Sequence, residues 1–591
     1  MKRTTFYSAF LLIMTMIVSL SASAYDFMAG NIYYKINGEG TVKVTYKDNN
    51  LNSYSGTVTV PATVTNDGVT YTVTEIGSSA FRASSGLVRV NLPSTMQTIG
   101  YASFYNCTAL AYINIPNSVT YIDSFAFRQC TSLTDITIPG SVPYMGGQVF
   151  QGCTSLRHVT IEEGLTGLSA ATFYQCSALE SIVIPSTVTE IYMMCFADCT
   201  SLTDITIPST TIHIDSSAFD NTPWLDNQPD GVVYAGSIAY RYQGTVPAGT
   251  TITLRDGTVT METRLFADQD GLVGLNIPAS LSHIEASCVI NCPNLVSIKV
   301  ASGNPTFDSR NNCNAIIETA TNTLALGCNA SQIPSSVTAI GTAAFTYCSG
   351  LSSPMLNNNI KSIGEYAYSY CSGITRVEIP ASVTSIGKAA FAGCDNVTSV
   401  TVNSGNTVYD SREDCNAIIE TATNTLIAGF SKSFIPDGIT SIGDNAFYWQ
   451  GLLSSIIIPA SVTSIGTSAF YNMNNLETIV CEATTPPSIS SGSFDNLAQL
   501  YATLYVPRAS LETYRSTDVW NWIHNIRAIE DQVNGDVDGD GNVGISDVTA
   551  LIDYILTNDS RGMNLYNADC DNNKSVNIAD VTVLIDRLLG N

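Results

Sequence analysis

Phenylalanine returns along the first part of this chain at a constant interval, at Phe81, Phe104, Phe127, Phe150, Phe173, Phe196 and Phe219. A fixed period of this length marks a repeat architecture, in which one short unit stacks on copies of itself. Three residues after the aromatic comes, in five consecutive copies, Cys107, Cys130, Cys153, Cys176 and Cys199. Three further on stands leucine, at Leu87, Leu110, Leu133, Leu156, Leu179 and Leu202. An alternation of β-branched residues then ends in proline, as in Ile113-Asn114-Ile115-Pro116 and Ile136-Thr137-Ile138-Pro139. The alternation predicts one short strand per coil with its apolar side inward, and proline, which has no N–H to give, ends it. A last apolar position, Ile122, Met145, Leu168, Ile191 and Ile214, closes the unit. The segment before each aromatic, such as Ile76-Gly77-Ser78-Ser79-Ala80-Phe81, is expected to turn the corner through a short helical turn. One coil cannot bury its own apolar face, so stability comes from contact with the next coil.

The frame returns after interruptions. Phe266 and Val289 keep the same spacing, as do Phe345, Tyr368 and Phe391, and then Phe447 and Phe470. The steps from Val289 to Phe345 and from Phe391 to Phe447 are equal to one another and longer than two periods. Both contain Asn-Ala-Ile-Ile-Glu-Thr-Ala-Thr-Asn-Thr-Leu, at 314–324 and 416–426, which indicates a duplicated larger unit. The added residues are expected to form a β-hairpin protruding from one side of the array, and the irregular stretch 222–258 a further strand-rich excursion. Departures from the pattern are Val289 for Phe, Pro354 at an inward Ile position and Glu162 for Pro. Most of the 16 cysteines fall at one coil position, which predicts unpaired thiols acting as small buried hydrophobes.

Leu-x-x-Ile-x-Ile-Pro followed by Ile-Gly-x-x-Ala-Phe-x-x-Cys resembles the leucine-rich repeats of the BspA type, known from surface and secreted proteins of host-associated bacteria and some protists. The resemblance implies a β-dominated leucine-rich repeat solenoid of 23-residue coils over 76–480, with longer insert-bearing units near 222–258, 301–333 and 403–435. Residues 25–75 are expected to cap its start, with Asn66-Asp67-Gly68 as a hairpin turn, and 481–530 to cap its end. Caps are physically required, because a bare terminal coil exposes its core and a free strand edge.

Residues 1–24 read as an export signal: Lys2 and Arg3, an apolar run from Ala9 to Leu20, then Ala22-Ser23-Ala24 as the cleavage pattern. The chain is therefore expected to be secreted or held at the cell surface, with no membrane span. Against 50 Asp and Glu stand only 25 Lys and Arg, a net charge of −25, which argues against nucleic acid as a partner.

A different chemistry closes the chain. Asp536, Asp538, Asp540, Asn542 and Asp547 stand at positions 1, 3, 5, 7 and 12 of a loop with Gly541 at the sharp turn, the oxygen-rich spacing that a hard Ca2+ ion needs. The pattern recurs further on as Asp569, Asp571, Asn573, Ser575, Asn577 and Asp580, with Lys574 in place of the glycine, so the second site is expected to be weaker. Each loop runs into a matching helix carrying Asp-Val-Thr-x-Leu-Ile-Asp. Two such loop–helix units over 535–591 resemble a type I dockerin, a small α-helical calcium-binding domain, and the resemblance implies docking to a cohesin-like module through one face of the duplicated helices. In the resemblance the partner is selected near Ile545-Ser546 and Ile578-Ala579.

No catalytic signature appears: no nucleophile elbow, zinc-protease motif, phosphate loop or glycine-rich dinucleotide turn. The chemistry on offer is recognition. Arg89, Tyr112, Asp135, His158, Ser181 and Asp204 share one outward strand position on successive coils, and form the candidate face for a protein or glycan ligand. The reading is a non-enzymatic exported scaffold for adhesion. Two alternatives stay open: an accessory component of a polysaccharide-degrading complex, or a tail that clamps its own chain in a calcium-dependent way.

Overall fold

The computed structural model describes residues 24–48, 51–557, 562–571 and 576–590. Of the expected export signal only Ala24 is among them; the rest lies outside the described residues, as do Asn573, Lys574 and Ser575. The described residues form two compact units, one running up to Gly244 and including Gly257–Leu265, the other made of Thr245–Asp256 and everything from Phe266 on.

In the first unit most coils contribute two short strands, where the sequence predicted one, and the coil closed by Met145 has a single bridge in place of the second. The expected strand is present, for instance Asp135–Ile138 paired in parallel with His158–Ile161, and Ser181–Val183 with Asp204–Thr206. A second, two-residue strand holds the closing apolar position: Thr98–Ile99 pairs with Tyr121–Ile122, and Gly167–Leu168, Glu190–Ile191 and His213–Ile214 follow in register. Its brevity hides it from a period-2 reading, since two residues make no alternation.

The corner is built differently from the helical turn expected there. Isolated i→i+3 turns, such as Ala80 N–H to the Gly77 carbonyl, alternate with backbone bonds between coils. Phe104 donates to the Ala126 carbonyl at 2.8 Å, Phe127 to Val149 at 2.9 Å and Phe150 to Thr172 at 2.9 Å. This alternation is possible because residues two before and two after each of these phenylalanines have positive φ, among them Ala102, Asn106, Phe125 and Gln129. A left-handed residue costs roughly 1–2 kcal/mol and stops a helix. The inter-coil bonds it permits satisfy N–H groups that would otherwise be buried without a partner.

The repeated side chains fill the interior as columns. From Phe81 to Phe219 the rings stack at 4.8 to 5.6 Å with their planes within 12° of parallel. Each column cysteine turns its thiol to a phenylalanine carbonyl one coil back: Cys107 to Phe81 at 3.0 Å, Cys130 to Phe104 and Cys153 to Phe127 at 3.2 Å. None of the 16 cysteines is in a disulfide, and all but Cys348 are buried. Burial pushes the thiols of Cys107, Cys153, Cys199 and Cys394 up to about 12. At pH 8 such thiols carry almost no thiolate, the reactive form. Native protein is therefore expected to resist iodoacetamide at these positions and to be labelled fully only in denaturant, which mass spectrometry of the digested protein checks. Rapid native labelling of the column cysteines would contradict the packing described.

The chain enters this unit through a cap that starts both ladders. Thr41–Thr45 pairs with Val69–Ile76, which leads into Thr98–Ile99, while Ser55–Thr59 pairs with Gly86–Asn91. The predicted hairpin is formed: Asn66 pairs with Val69, and Asp67 and Gly68 both have positive φ. Tyr54 covers the first ring of the phenylalanine column at 4.5 Å, and Trp224 and Tyr240 cover the last at 4.7 and 5.4 Å. Glu162, in place of proline, gives its N–H to the Ile138 carbonyl and so extends the ladder by one bond.

In the second unit the two inserts form the expected hairpins, but these join the sheet instead of protruding as the sequence predicts. Phe307–Asp308, Ile316–Glu318 and Thr323–Leu326 form an antiparallel group whose last strand pairs in parallel with Ala339–Ile340, so the insert becomes a member of the short-strand ladder. Tyr409–Asp410, Ile418–Glu420 and Thr425–Ala428 repeat this arrangement before Ser441–Ile442. The driving force is burial: Ile316, Ile317, Leu324, Ile418, Ile419 and Leu426 are fully enclosed. Gly327 and Gly429, at equivalent places in the two inserts, allow close approach, since a Cβ at either would lie 2.1 Å from the ring of Phe345 or Phe447. Two departures from the repeat compensate one another: Tyr368 stands in a phenylalanine position, and its buried hydroxyl donates to the carbonyl of Pro354 at 2.9 Å. The ladder closes through Thr478–Cys481, Thr503–Val506 and Asn525–Ala528, with Trp520 buried and its indole N–H bonded to the Pro487 carbonyl.

Candidate calcium module and recognition faces

Behind the repeats the described residues form the helices Ile545–Thr557, Leu565–Ala568 and Ile578–Leu589, around a small core of Val537, Leu551, Ala568, Cys570, Val581 and Leu584. The first loop is organised by its own carboxylates. Buried Asp547 accepts from the backbone N–H groups of Val537 at 2.6 Å, Asp538 at 3.1 Å and Gly544 at 2.7 Å. Asp538 accepts from Asp540 N–H, Asp540 from Asn542 N–H, and Asp536 from Gly541 N–H. This folding brings one oxygen each of Asp536, Asp538 and Asp540 within 4.8 Å of one another. The second Asp536 oxygen, Oδ1, is buried without a hydrogen-bond partner. Burial, and beyond it the neighbouring charges of Asp547, Asp538 and Asp540, raise the Asp536 carboxyl above the usual carboxylate range. A buried orphan oxygen beside two further carboxylates suits a divalent cation, so the residues present fit calcium.

In the second loop Asp569, Asp571 and Asp580 bring their oxygens within the same 4.8 Å limit. Asp580 is buried and, like Asp547, accepts backbone N–H groups, from Asp571 at 3.2 Å and Asn577 at 2.8 Å. Asn577 caps the last helix, its side chain accepting from Ala579 N–H at 2.8 Å in a reciprocal capping box with Asp580.

Two residues that the sequence reading passed over tie the loops together. Asn567 Nδ2 donates to the Asp536 carbonyl at 2.9 Å, and Asn534 Nδ2 to the Asp569 carbonyl at 2.9 Å. Each asparagine stands two residues before one loop and holds the first ligand residue of the other. The signal was present as Asn-x-Asp at 534–536 and again at 567–569. Asn567 is buried, so Asn567→Ala is expected to destabilise the module by about 1–3 kcal/mol. It is also expected to weaken calcium at the first loop, to which it does not belong, and calorimetric titration of the variant with Ca2+ checks this. An unchanged first-loop affinity would contradict the cross-brace.

The outer sides of the two long helices are apolar in matching places. Ile545 is 80 % and Ile578 66 % exposed, and Ile552, Ile555 and Leu556 are matched, at the equivalent places of the second helix, by the exposed Ile585, Leu588 and Leu589.

In the first unit the outward strand row is present and exposed. Arg89 pairs with Tyr112, Asp135 with His158 and Ser181 with Asp204, and the Arg89 guanidinium lies 3.9 Å over the Tyr112 ring. The neighbouring row is partly committed to the fold: Asn114 accepts from the Leu92 N–H and donates to its carbonyl. Among the described residues no helix is long and apolar enough to cross a membrane.

The model of the BspA type leucine rich repeat region matches the chain at 63–179, 124–244, 239–323, 325–425 and 426–515, and that of the dockerin type I domain at 534–589. No curated protein matches. Among solved structures, a leucine-rich repeat protein from Bacteroides ovatus is 22% identical, with 85% of this chain and 100% of that one covered and a TM-score of 0.32. The leucine rich repeat protein of T. pallidum is 27% identical over 32% of this chain and 85% of that one, with a TM-score of 0.28. A leucine rich cell surface protein from Faecalibacterium prausnitzii is 20% identical over 86% and 96%, with a TM-score of 0.27. Both matched families are non-catalytic interaction modules typical of extracellular proteins, and dockerin type I domains bind calcium and dock to cohesins. By matches that run across most of its length, the chain belongs to the BspA-type leucine-rich repeat family and carries a dockerin type I domain behind the repeats.

Proposed function

We propose that this protein is an exported, non-catalytic recognition scaffold. Its repeat array binds a protein or glycan ligand on the row Arg89, Tyr112, Asp135, His158, Ser181 and Asp204, and its C-terminal module docks it to a cohesin. Two calcium ions hold that module in its docking form. Asp536, Asp538, Asp540, Asn542 and Asp547 supply the first site, and Asp569, Asp571, Asn573, Ser575, Asn577 and Asp580 the second, weaker one. Residues 1–24 direct export.

The observation that carries this reading is the duplicated apolar face beside two carboxylate clusters. Water-exposed Ile and Leu at matching places on two helices have no role in the module's own core, and a self-similar apolar stripe is what a docking partner covers. Placing a charge at the most exposed isoleucine of each stripe, with Ile545→Asp and Ile578→Asp combined, is expected to weaken cohesin binding by about a hundredfold, the scale of two lost apolar anchors. Calcium binding should be unchanged. Surface plasmon resonance against a panel of cohesin modules measures the first and calorimetry the second. Incubating the protein with a panel of glycans tests the non-catalytic part, which any hydrolysis above a blank would overturn.

A further inference from the structure

The short second ladder of the first unit carries a strip of exposed tyrosines that neither the strand row nor the calcium module uses. One position of this ladder is occupied on successive coils by Thr98, Tyr121, Tyr144, Gly167, Glu190 and His213. Tyr121 pairs with Thr98, Ile122 bridges to Met145, and Gly167, Glu190 and His213 pair in register. Tyr144 is 54 % exposed, and Tyr121 and Tyr192 only somewhat less. At Gly167 the column lacks a side chain, and the ring of Tyr192 from the next coil reaches the space left, 4.0 Å from where a Cβ would stand.

Carboxylates are set among these rings. Tyr121 donates its hydroxyl hydrogen to Asp123 at 3.2 Å, and Tyr192 donates to Glu190. The positions two residues on along the same ladder are Gly100, Asp123, Gly146, Ser169, Tyr192 and Asp215, so neither column contains a Lys or Arg. The strip therefore offers flat rings, hydroxyls and anionic acceptors, with no Lys or Arg, and its last member, His213, lies 3.6 Å from the Glu262 carboxylate.

That combination selects a ligand. Aromatic faces carry partial negative charge and attract the C–H hydrogens on one side of a pyranose ring, while carboxylates accept from sugar hydroxyls. Tyrosine gives this contact area at low cost in conformational freedom. The carboxylates repel phosphate, sulfate and uronate groups. Tyr121, Tyr144 and Tyr192 stand on the first, second and fourth of four successive coils, at about 4.8 Å per coil, and so offer several aromatic contacts along an extended chain. We propose that Tyr121, Tyr144 and Tyr192, with Asp123 and Glu190, bind an uncharged polysaccharide chain. This site is separate from the strand row and stands whether or not that row binds anything.

Affinity electrophoresis of the full calcium-loaded chain through gels containing mixed-linkage β-glucan, arabinoxylan or galactomannan tests it. The expected result is retardation by at least one of them, with Tyr144→Ala plus Tyr192→Ala raising the dissociation constant about tenfold or more. Tyr144→Phe plus Tyr192→Phe keeps the rings and retains most of the binding, and Met28→Ala, at an exposed residue of the entry cap, leaves it unchanged. All the altered side chains are exposed, and circular dichroism confirms that each variant folds. Three results would overturn the site. One is no retardation by any of the three glycans. Another is loss of retardation in an Arg89→Ala plus Tyr112→Ala variant but not in the tyrosine variant, which would place the glycan on the strand row. The last is binding of polylysine without any glycan, which would make the strip a cation surface.

Discussion

Phe150→Ala is expected to lower the unfolding free energy of the first unit by about 3–5 kcal/mol, the scale of an aromatic side chain removed from a core that cannot collapse around the gap. Phe150 is fully buried between Phe127 at 5.4 Å and Phe173 at 5.5 Å, its ring within 5° of parallel to both. Its carbonyl also accepts the thiol hydrogen of Cys176, at 3.2 Å. The substitution thus removes two ring stacks at once, with Phe127 and with Phe173, while the carbonyl that Cys176 uses is retained. In a stack stabilised by nearest neighbours, loss at a central coil uncouples the coils on either side. Urea unfolding followed by far-ultraviolet circular dichroism reads the effect, with Val183→Ala as the control. Val183 points outward and is exposed, so its loss should change stability by no more than about 0.5 kcal/mol. Equal effects of the two substitutions would mean that the aromatic column does not hold the coils together.

Calcium removal is expected to have the second large effect, confined to the terminal module at 535–591. The carboxylates of Asp536, Asp538 and Asp540 converge around a buried oxygen without a partner, and with nothing to neutralise them they repel. Calcium at about a hundred times its dissociation constant stabilises the folded module by about 2.7 kcal/mol per site, all of it lost in excess chelator. Differential scanning calorimetry of the full chain should show one transition moving down on addition of EGTA while those of the repeats stay in place. Asp547→Ala should reproduce most of that shift even with calcium present, because Asp547 holds three backbone N–H groups of the loop as well as the ligand position. A module whose melting ignores chelator would remove the metal from the account.

Much of this architecture is written in residue types whose role does not depend on neighbours. The phenylalanine, cysteine and leucine columns are read directly because each must be apolar in every coil. The loop carboxylates are equally plain, because only oxygen at that spacing serves a hard cation. What stayed hidden depends on contacts across coils. The second strand is two residues long and pairs only with its copies. The corner conformation leaves no residue signature, since its positive-φ positions are filled by Ala102, Phe125, Gln148 and Met194 alike. Glycine or asparagine would have advertised such a turn; here the inter-coil ladder enforces it. The inserts form the hairpins their sequence suggests, but burial of Ile316 and Ile317 draws these into the sheet instead of letting them protrude. Pro354 looks like a flaw until its carbonyl is seen to accept from Tyr368, another departure from the repeat. In the calcium module, the exchange between Asn534 and Asn567 is invisible along the chain because each acts on the opposite loop.

The measurement that bears most directly on the proposed role is the calcium dependence of cohesin capture by the intact protein. With the chain immobilised and Ca2+ present, at least one cohesin module from a panel should be retained, released by EGTA, and not retained by the Ile545→Asp, Ile578→Asp variant. Retention that survives chelator and both substitutions, or no retention of any cohesin, would contradict the account.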